Sequence, residues 1–293
     1  MNWAFLSLLG AAALYGSIAT LAKPQLMTIH PILLSSSIYL IIGVVLTILN
    51  KITNRPIHIN RSELKYIFII SVSGAVLGPI FYFYGLTLTS ASLASILINI
   101  EFVFSILLAM IILKEKPKRN GIMGILLIFV GLITVNLNYN DFNIFKNNTL
   151  LGNLLIIIAS LFWAVDNNIS NIILKKGVSI SNIIQLKSLI GGTISFCICL
   201  IFAIPLGGDA NQIPFLIVLS LGGFAGSLFL FLRGMKEMGT IKSVMIFSTS
   251  TIFGIIFALI FLNESSKDVF TLLISSIFVI SGIYFISREE KND

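Results

Sequence analysis

Three ionisable side chains lie inside long apolar stretches of this sequence, where a charge is costly. Glu101 is at the middle of the stretch 91–113, Asp166 is in the second half of 150–171, and Lys187 is near the start of 180–204. A charged group at the centre of a bilayer costs at least about 2.5–3.5 kcal/mol, so such groups are rare and commonly mark a substrate or ion pathway. Their positions predict a buried polar site near the middle of a membrane.

Asp166 and Lys187 are predicted to form an ion pair. If the stretch that carries Asp166 runs inward and the stretch that carries Lys187 runs outward, the short loop between them brings the two side chains to a similar depth. Partnered charges are the usual arrangement inside membranes. The sequence leaves two roles open for this pair, a structural contact that neutralises both charges or a part in transport.

Glu101 is a different case, because no cation lies near it in the sequence. A carboxyl group that gains and loses a proton as a cavity opens to either side is the minimum requirement for proton coupling. The hypothesis is that Glu101 carries a coupling proton or contacts a cationic group of a substrate. The alternatives are a partner such as Lys187 across the bundle, or a neutral acid held by hydrogen bonds.

Further polar residues share one face of the helix predicted over 150–171. Trp163, Asp166, Asn167, Ser170 and Asn171 follow each other at helical spacing and form a single stripe. Lipid offers no hydrogen-bond partners, so this stripe is expected to face the bundle or a water-filled space.

Three residues on other stretches are candidates for the same space. Ser250 lies in a run of hydroxyl residues, 248–251, at the level that corresponds to Glu101 in the second half of the chain. Tyr15 and Tyr82 could line the space as well. The competing interpretation for the tyrosines is an aromatic belt at the membrane interface.

The composition indicates a polytopic membrane protein. The chain has 293 residues, of which 57% are hydrophobic and 11% charged, whereas a soluble domain has about a quarter charged residues. A bilayer core needs about 20 apolar residues per helix. We therefore predict an all-α protein with ten transmembrane helices, over about 3–22, 29–49, 65–85, 91–113, 120–136, 150–171, 180–204, 213–232, 240–262 and 269–287.

The chain repeats itself at an offset of 149 residues, which indicates an internal duplication. The repeat aligns Gly85 with Gly234, Phe104 with Phe253, Ile106 with Ile255, Ala109 with Ala258, Leu113 with Leu262 and Glu115 with Glu264. The predicted units are residues 1–138 and 150–288, joined by an extracytoplasmic linker over 139–149.

The placement of basic residues predicts the orientation. Of the 19 lysines and arginines, only Lys23, Lys146 and Lys267 fall outside if the N-terminus is cytoplasmic. Both termini are then cytoplasmic, in a cell membrane. Since each unit has an odd number of spans, the second unit is inverted relative to the first. Inverted repeats are typical of secondary transporters, which bind substrate between the repeats.

Several motifs resemble those of the drug/metabolite transporter superfamily, in its EamA-type branch. The stretch Gly85–Glu115 is similar to the family's fourth-helix signature, with Ser-Ala at 90–91, Ala-Ser at 94–95 and Glu115 at its end. Residues 15–17 and 163–164 resemble motifs of the first and sixth helices. The Asn99-x-Glu101 and 166–168 Asp-Asn-Asn motifs match a narrower set of members.

The resemblance implies two tandem EamA domains of five helices, cytoplasmic termini and transport of a small metabolite through a central cavity. The chain departs from the family in one respect. Members often have a proline in the middle of the fourth and ninth helices. Phe102 and Ile252 lie near those positions in this chain, so the resemblance does not support a proline hinge here.

We therefore interpret the chain as a secondary active transporter that works by alternating access, is proton-coupled and exports amino acids or amines. The expected partners are a small-molecule substrate, a proton or other coupling ion, and the lipid bilayer. No cofactor, metal or nucleic acid is expected, and the chain could be a monomer or a homodimer. The alternatives are an uncoupled channel or facilitator, a non-transporting scaffold and an intramembrane enzyme. The enzyme class is disfavoured because His30 lies at the end of a helix and His58 in a loop.

Overall fold

A computed structural model describes residues 3–54, 59–113, 122–124, 126–127, 130–131, 134, 148–207, 210–238, 243, 246–263 and 269–289. Within these ranges every regular element is helical. The helices are α1 Trp3–Gln25, α2 Pro31–Ile52, α3 Arg61–Leu88, α4 Ala91–Leu97, α5 Ile100–Leu113, α6 Asn148–Lys175, α7 Ile180–Ile201, α8 Ile213–Met238, α9 Ser250–Phe261 and α10 Val269–Glu289.

Six of these helices, α1, α2, α3, α6, α7 and α8, are long and apolar enough to cross a bilayer. The predicted all-α membrane fold is therefore confirmed within the described ranges. The predicted fourth span is divided into α4 and α5, and α9 is the second half of the predicted ninth span. Most of the predicted fifth span and of the linker lies outside the described residues, as do Glu115, Glu264 and His58. The count of ten spans stays a prediction.

Local hydrogen bonds set where the helices begin and end. The Oγ atoms of Ser90 and Ser179 accept backbone N–H groups in the first turns of α4 and α7, at 3.1 and 3.2 Å. The backbone N–H of Asn60 donates to the carboxylate of Glu63 at 2.9 Å, which starts α3. At the other end of α6, Gly177 has a φ of +89°, a conformation that favours glycine and stops the helix.

The two halves of the chain interlock along their length. The main helix contacts are α2 with α7, α3 with α6, α5 with α6, α4 with α9, and α1 with both α8 and α9. Each of these contacts joins a helix before residue 138 to one that begins at residue 148 or later. The space between the helices is consequently lined by both halves.

Glycines permit the closest of these contacts. A methyl group added to Gly16 would lie 2.7 Å from the carbonyl oxygen of Ser250, and one added to Gly78 would lie 2.7 Å from the indole nitrogen of Trp163. Small residues four apart permit close helix contact, and the Gly74-x-x-x-Gly78 pair packs against α6. In the similar Gly222-x-x-x-Gly226 pair of α8, a methyl group on Gly222 would meet nothing within 4 Å, whereas one on Gly226 would lie 2.9 Å from the carbonyl oxygen of Leu221.

Gly131 also packs internally. The hydroxyl of Ser275 in α10 donates to the carbonyl of Gly131 at 2.6 Å, and a methyl group added to Gly131 would lie 2.9 Å from the carbonyl of Ser275. The glycines of the predicted fifth helix fit either internal packing or a dimer face on sequence alone. For Gly131 the structure shows internal packing.

Both α3 and α8 contain a π-helical segment near their middle, Ser73–Leu77 in α3 and Val218–Gly226 in α8. Such segments are rare and frequently occur at functional sites. In α3 the carbonyl of Gly74 accepts hydrogen bonds from two side chains of other helices, the hydroxyl of Tyr39 at 2.8 Å and the indole of Trp163 at 3.1 Å.

Candidate functional site

The site is built around an interruption between α4 and α5. The chain leaves the α-helix at Ile98 and Asn99, and the backbone N–H groups of Asn99, Glu101 and Phe102 bond three residues back in place of four. The side-chain amide of Asn99 donates to the carbonyl of Ser95 at 2.8 Å. This amide takes the place of the backbone donor that a continuous helix would supply.

A second interruption lies just before α9. Ser248 and Thr249 are in a turn, and the backbone N–H groups of Thr249, Thr251 and Ile252 again bond three residues back. The two interruptions are joined directly, because the Asn99 amide also donates to the hydroxyl of Thr251 at 2.6 Å. Interrupted helices therefore occur in both halves of the chain without a proline at either interruption.

Glu101 is in the first turn of α5 and is 4% exposed. Its Oε1 accepts a hydrogen bond from the side-chain amide of Asn167, and its Oε2 accepts one from the hydroxyl of Tyr15 at 3.3 Å. Both partners are neutral. The residue therefore has no direct ion-pair partner among the described residues, although it is removed from water.

Asp166 and Lys187 form the predicted ion pair, and each is 3% exposed. The Nζ of Lys187 donates to Oδ2 of Asp166, and the hydroxyl of Ser170 donates to Oδ1 at 3.3 Å. The carboxylate packs against Gly74, where a side chain would overlap it. The charges of Asp166 and Lys187 compensate each other, so the pair leaves the charge of a Glu101 carboxylate without a counter-charge in direct contact.

One cavity lies between the halves of the chain and contains all three charged residues. The space available to the centres of water molecules is about 60 Å³, which is enough for several waters. It is lined by Tyr15, Tyr39, Ile42, Glu101, Trp163, Asp166, Asn167, Ile184, Lys187, Ser188, Phe224, Ala225, Ser227, Leu228, Phe231 and Phe247. These residues come from α1, α2, α5, α6, α7, α8 and the segment before α9.

A smaller cavity lies on the other side of Tyr15 and Trp163, which line both spaces. Their ring centroids are 6.3 Å apart in an edge-to-face arrangement. Tyr82 and Ser250 also line the smaller cavity, and the ring of Tyr82 is 5.3 Å from that of Trp163. The two aromatic side chains thus separate the charged cavity from a largely apolar one.

The structure brings most of the predicted site residues together. Glu101, Asp166, Asn167, Lys187, Trp163 and Tyr15 line the larger cavity, and Tyr82 and Ser250 the smaller. Asn99 joins the two helix interruptions, and Ser170 supports Asp166. Asn171 is half-buried and lines neither cavity.

Several lining residues were not predicted from the sequence. The polar and aromatic ones are Tyr39, Ser188, Ser227 and the three phenylalanines Phe224, Phe231 and Phe247, and the aliphatic ones are Ile42, Ile184, Ala225 and Leu228. Tyr39 is a hydroxyl-bearing aromatic residue inside an apolar stretch, and Ser188 follows Lys187, so both carried a weak signal. The phenylalanines carried none, because their residue type is equally common on surfaces that face lipid. The described residues contain no group of three histidine, cysteine or acidic side chains that could hold a metal.

An all-helical membrane bundle with a buried, charged cavity between two halves is the architecture of a membrane transporter. The comparison with known sequences agrees. The chain belongs to the EamA-like transporter family, whose sequence model matches residues 2–137 and again residues 150–288. It is a multi-pass membrane protein of the drug/metabolite transporter superfamily.

Similar proteins have been named as transporters in other organisms. A protein of Methanothermobacter thermautotrophicus named "uncharacterized transporter" is 28% identical, over 97% of this chain and 86% of its own length. One of Archaeoglobus fulgidus, with the same name, is 26% identical over 78% of each chain. A solved crystal structure has the same fold, with a TM-score of 0.74 at 15% identity over 99% of this chain and 98% of that one.

Proposed function

We propose that the protein is a proton-coupled secondary transporter of a small metabolite, in which Glu101 carries the coupling proton. The observation that carries this proposal is the setting of Glu101, a carboxyl buried in the cavity with only neutral hydrogen-bond partners. A buried charge without a partner is strongly disfavoured, so the group is expected to bind either a proton or a cation.

The hydrogen bonds to Glu101 suit both protonation states. As a carboxylate, the group accepts from Asn167 and from the hydroxyl of Tyr15. When the carboxyl is protonated, it can donate to the oxygen of Tyr15, since a phenol both donates and accepts. The surroundings can therefore hold the proton or release it without rearranging the helices.

The proposed mechanism is alternating access between two inverted five-helix repeats, residues 1–138 and 150–288, in a ten-span protein with both termini in the cytoplasm. Discontinuous helices at the substrate site are a recurring feature of such transporters. Here an interruption in each half meets the other through Asn99 and Thr251. A hinge at each interruption would let one half rock against the other while this contact stays near the axis.

The substrate proposed from the sequence is an amino acid or an amine, moved out of the cell. The alternative function is an uncoupled channel or facilitator, which would give flux that does not saturate and does not respond to a pH gradient. The protein is proposed to function as a monomer or a homodimer in the bilayer.

The experiment is uptake into proteoliposomes that contain the purified protein, with a panel of radiolabelled amino acids and amines. We expect at least one compound to accumulate against its gradient when a pH gradient is imposed, and to lose that accumulation in Glu101→Gln. Glu63→Gln is the matched control, because Gln preserves the capping contact at the start of α3. Transport that saturates poorly and ignores the pH gradient would support the channel instead.

A further inference from the structure

The hydrogen-bond donors on the aromatic side of the larger cavity are already engaged by the protein. The hydroxyl of Tyr39 and the indole of Trp163 both donate to the carbonyl of Gly74. The hydroxyl of Ser227 donates to the carbonyl of Ala11 at 3.1 Å. A ligand in the cavity would therefore have to compete with backbone acceptors for these donors.

The donors on the charged side are directed at carboxylates. Lys187 donates to Asp166, while Asn167 and Tyr15 donate to Glu101. With all three charged groups ionised, the cavity carries a net charge of −1, which no further described lining residue compensates. The wall thus carries an excess of negative charge.

Ser188 is the exception among the donors. Its side chain lines the cavity, is 1% exposed and has no hydrogen-bond partner among the described residues. Buried polar groups are nearly always satisfied, so a ligand atom that reaches this hydroxyl would supply its missing partner. A hydroxyl oxygen can accept from an N–H donor of that ligand.

Six aromatic rings on the cavity wall form one continuous series. In order they are Phe231, Phe247, Tyr15, Trp163, Phe224 and Tyr39, with successive ring centroids 4.6, 4.8, 6.3, 6.5 and 5.8 Å apart. Aromatic faces attract cations, and cages of such rings recognise organic ammonium groups. They also bury the apolar part of a ligand.

We propose that the larger cavity selects an organic ammonium ion of net charge +1 with an apolar body, bound by Glu101, Ser188 and the aromatic series. This inference rests on the proposed function and specifies its substrate class. An ammonium ion matches the net charge of the cavity, donates to Glu101 and Ser188, and places its apolar body against the rings.

A zwitterion or an anion fits the same cavity less well. A substrate carboxylate would have to share Lys187 with Asp166, in a cavity that already carries an excess of negative charge. Two carboxylates beside one buried ammonium group repel each other, so one of them would stay poorly compensated. A bound zwitterion would also leave the cavity with its net charge of −1.

The ammonium ion and the coupling proton compete for Glu101. When a cation binds at protonated Glu101, the carboxyl group releases its proton and the cation pairs with the resulting carboxylate. The other titratable groups that face the cavity are Asp166, Lys187, Tyr15 and Tyr39, and Tyr82 faces the smaller cavity. Asp166 and Lys187 already neutralise each other, so the exchange is assigned to Glu101.

The test is a series of three compounds that share one body and differ in charge, phenethylamine (+1), phenylalanine (zwitterion) and 3-phenylpropionate (−1). Binding to the purified full-length protein is measured by calorimetry in two buffers of different ionisation enthalpy, which also counts protons released. We expect a Kd for phenethylamine at least about tenfold below that of phenylalanine, a difference of about 1.4 kcal/mol, because the carboxylate of phenylalanine adds to the negative charge of the cavity. At a pH where Glu101 is protonated, about one proton is released per cation.

The variants separate the assigned residues from the rest of the protein. Glu101→Gln is expected to lose phenethylamine binding and proton release, whereas Glu63→Gln keeps both. Ser188→Ala is expected to weaken phenethylamine binding, and the matched control is Ser195→Ala, another buried serine hydroxyl without a described partner that lies outside the cavity.

The charge series on the wild-type protein tests the inference even if a variant fails to fold. Phenylalanine or 3-phenylpropionate binding as tightly as phenethylamine would overturn it, as would the absence of phenethylamine binding. So would binding that is unchanged in Glu101→Gln. If a zwitterion is instead transported in response to a pH gradient and this requires Glu101, the proposed function stands and only the substrate class falls.

Discussion

Removing one partner of the buried Asp166–Lys187 pair should destabilise the protein far more than removing both. Each side chain is 3% exposed, so Lys187→Met would leave the Asp166 carboxylate buried with only the hydroxyl of Ser170 as a partner. Breaking a buried pair in this way costs about 3–5 kcal/mol. With about 2–4 °C per kcal/mol for domains of 150–250 residues, the Tm should fall by about 6 °C or more.

The double variant Asp166→Asn/Lys187→Met should recover most of that loss. Replacing both members of a buried pair by neutral groups of similar volume is often neutral or stabilising. The assay is thermal unfolding of the detergent-purified variants in a double-mutant cycle. Arg233→Met is the control, because its 3.7 Å pair with Glu237 is exposed and should contribute no more than about 1 kcal/mol.

The cycle also separates the two roles that the sequence left open. A double variant that is stable and still transports would make the pair structural. One that is stable and inactive would place the pair in the transport cycle. A double variant at least as unstable as the two single variants together would refute the reasoning, since the two charges would then not compensate each other.

Three further changes test the packing and the helix ends. Asn99→Ala should cost about 1–3 kcal/mol of unfolding free energy in thermal unfolding, because the buried Thr251 hydroxyl loses its donor; an effect within error would contradict the role given to this amide. Gly78→Ala should overpack the contact with α6, at a cost of about 1–3 kcal/mol in unfolding free energy that is measured as a lower Tm. Gly222→Ala places its methyl group in open space and should change the Tm little. Burial lowers the pKa of His30, and its neutral ring accepts the hydrogen bond that caps α2. The free energy of unfolding should therefore decrease as the pH falls through that pKa and the ring is protonated. His30→Asn keeps a capping side chain that does not titrate, and should flatten the dependence of stability on pH.

The charged part of the site could be predicted from the sequence because charge inside a membrane is expensive. That cost singled out Glu101, Asp166 and Lys187, and helical spacing added Trp163 and Asn167. All five line one cavity in the structure. The same reasoning predicted the ion pair but not the partners of Glu101, since a neutral amide or phenol gives no signal of which carboxylate it will meet.

The aromatic wall and the helix interruptions could not be predicted in this way. Phe224, Phe231 and Phe247 line the cavity, yet the sequence does not distinguish a phenylalanine that faces a cavity from one that faces lipid. The missing family prolines gave no reason to expect an interrupted helix. The side-chain amide of Asn99 nonetheless takes the place of a backbone donor at the interruption, and only the folded structure shows that exchange.

The most direct test of the central claim is whether Glu101 itself gains and loses a proton. Infrared difference spectra of the purified protein, recorded as the pH is changed, report the carboxylic acid C=O stretch. A protonated carboxyl group has this band, and a carboxylate does not. We expect a band that titrates in the wild type and in Glu63→Gln and is absent from Glu101→Gln. A titrating band that is unchanged in Glu101→Gln would show that another group carries the proton and would contradict the mechanism proposed here.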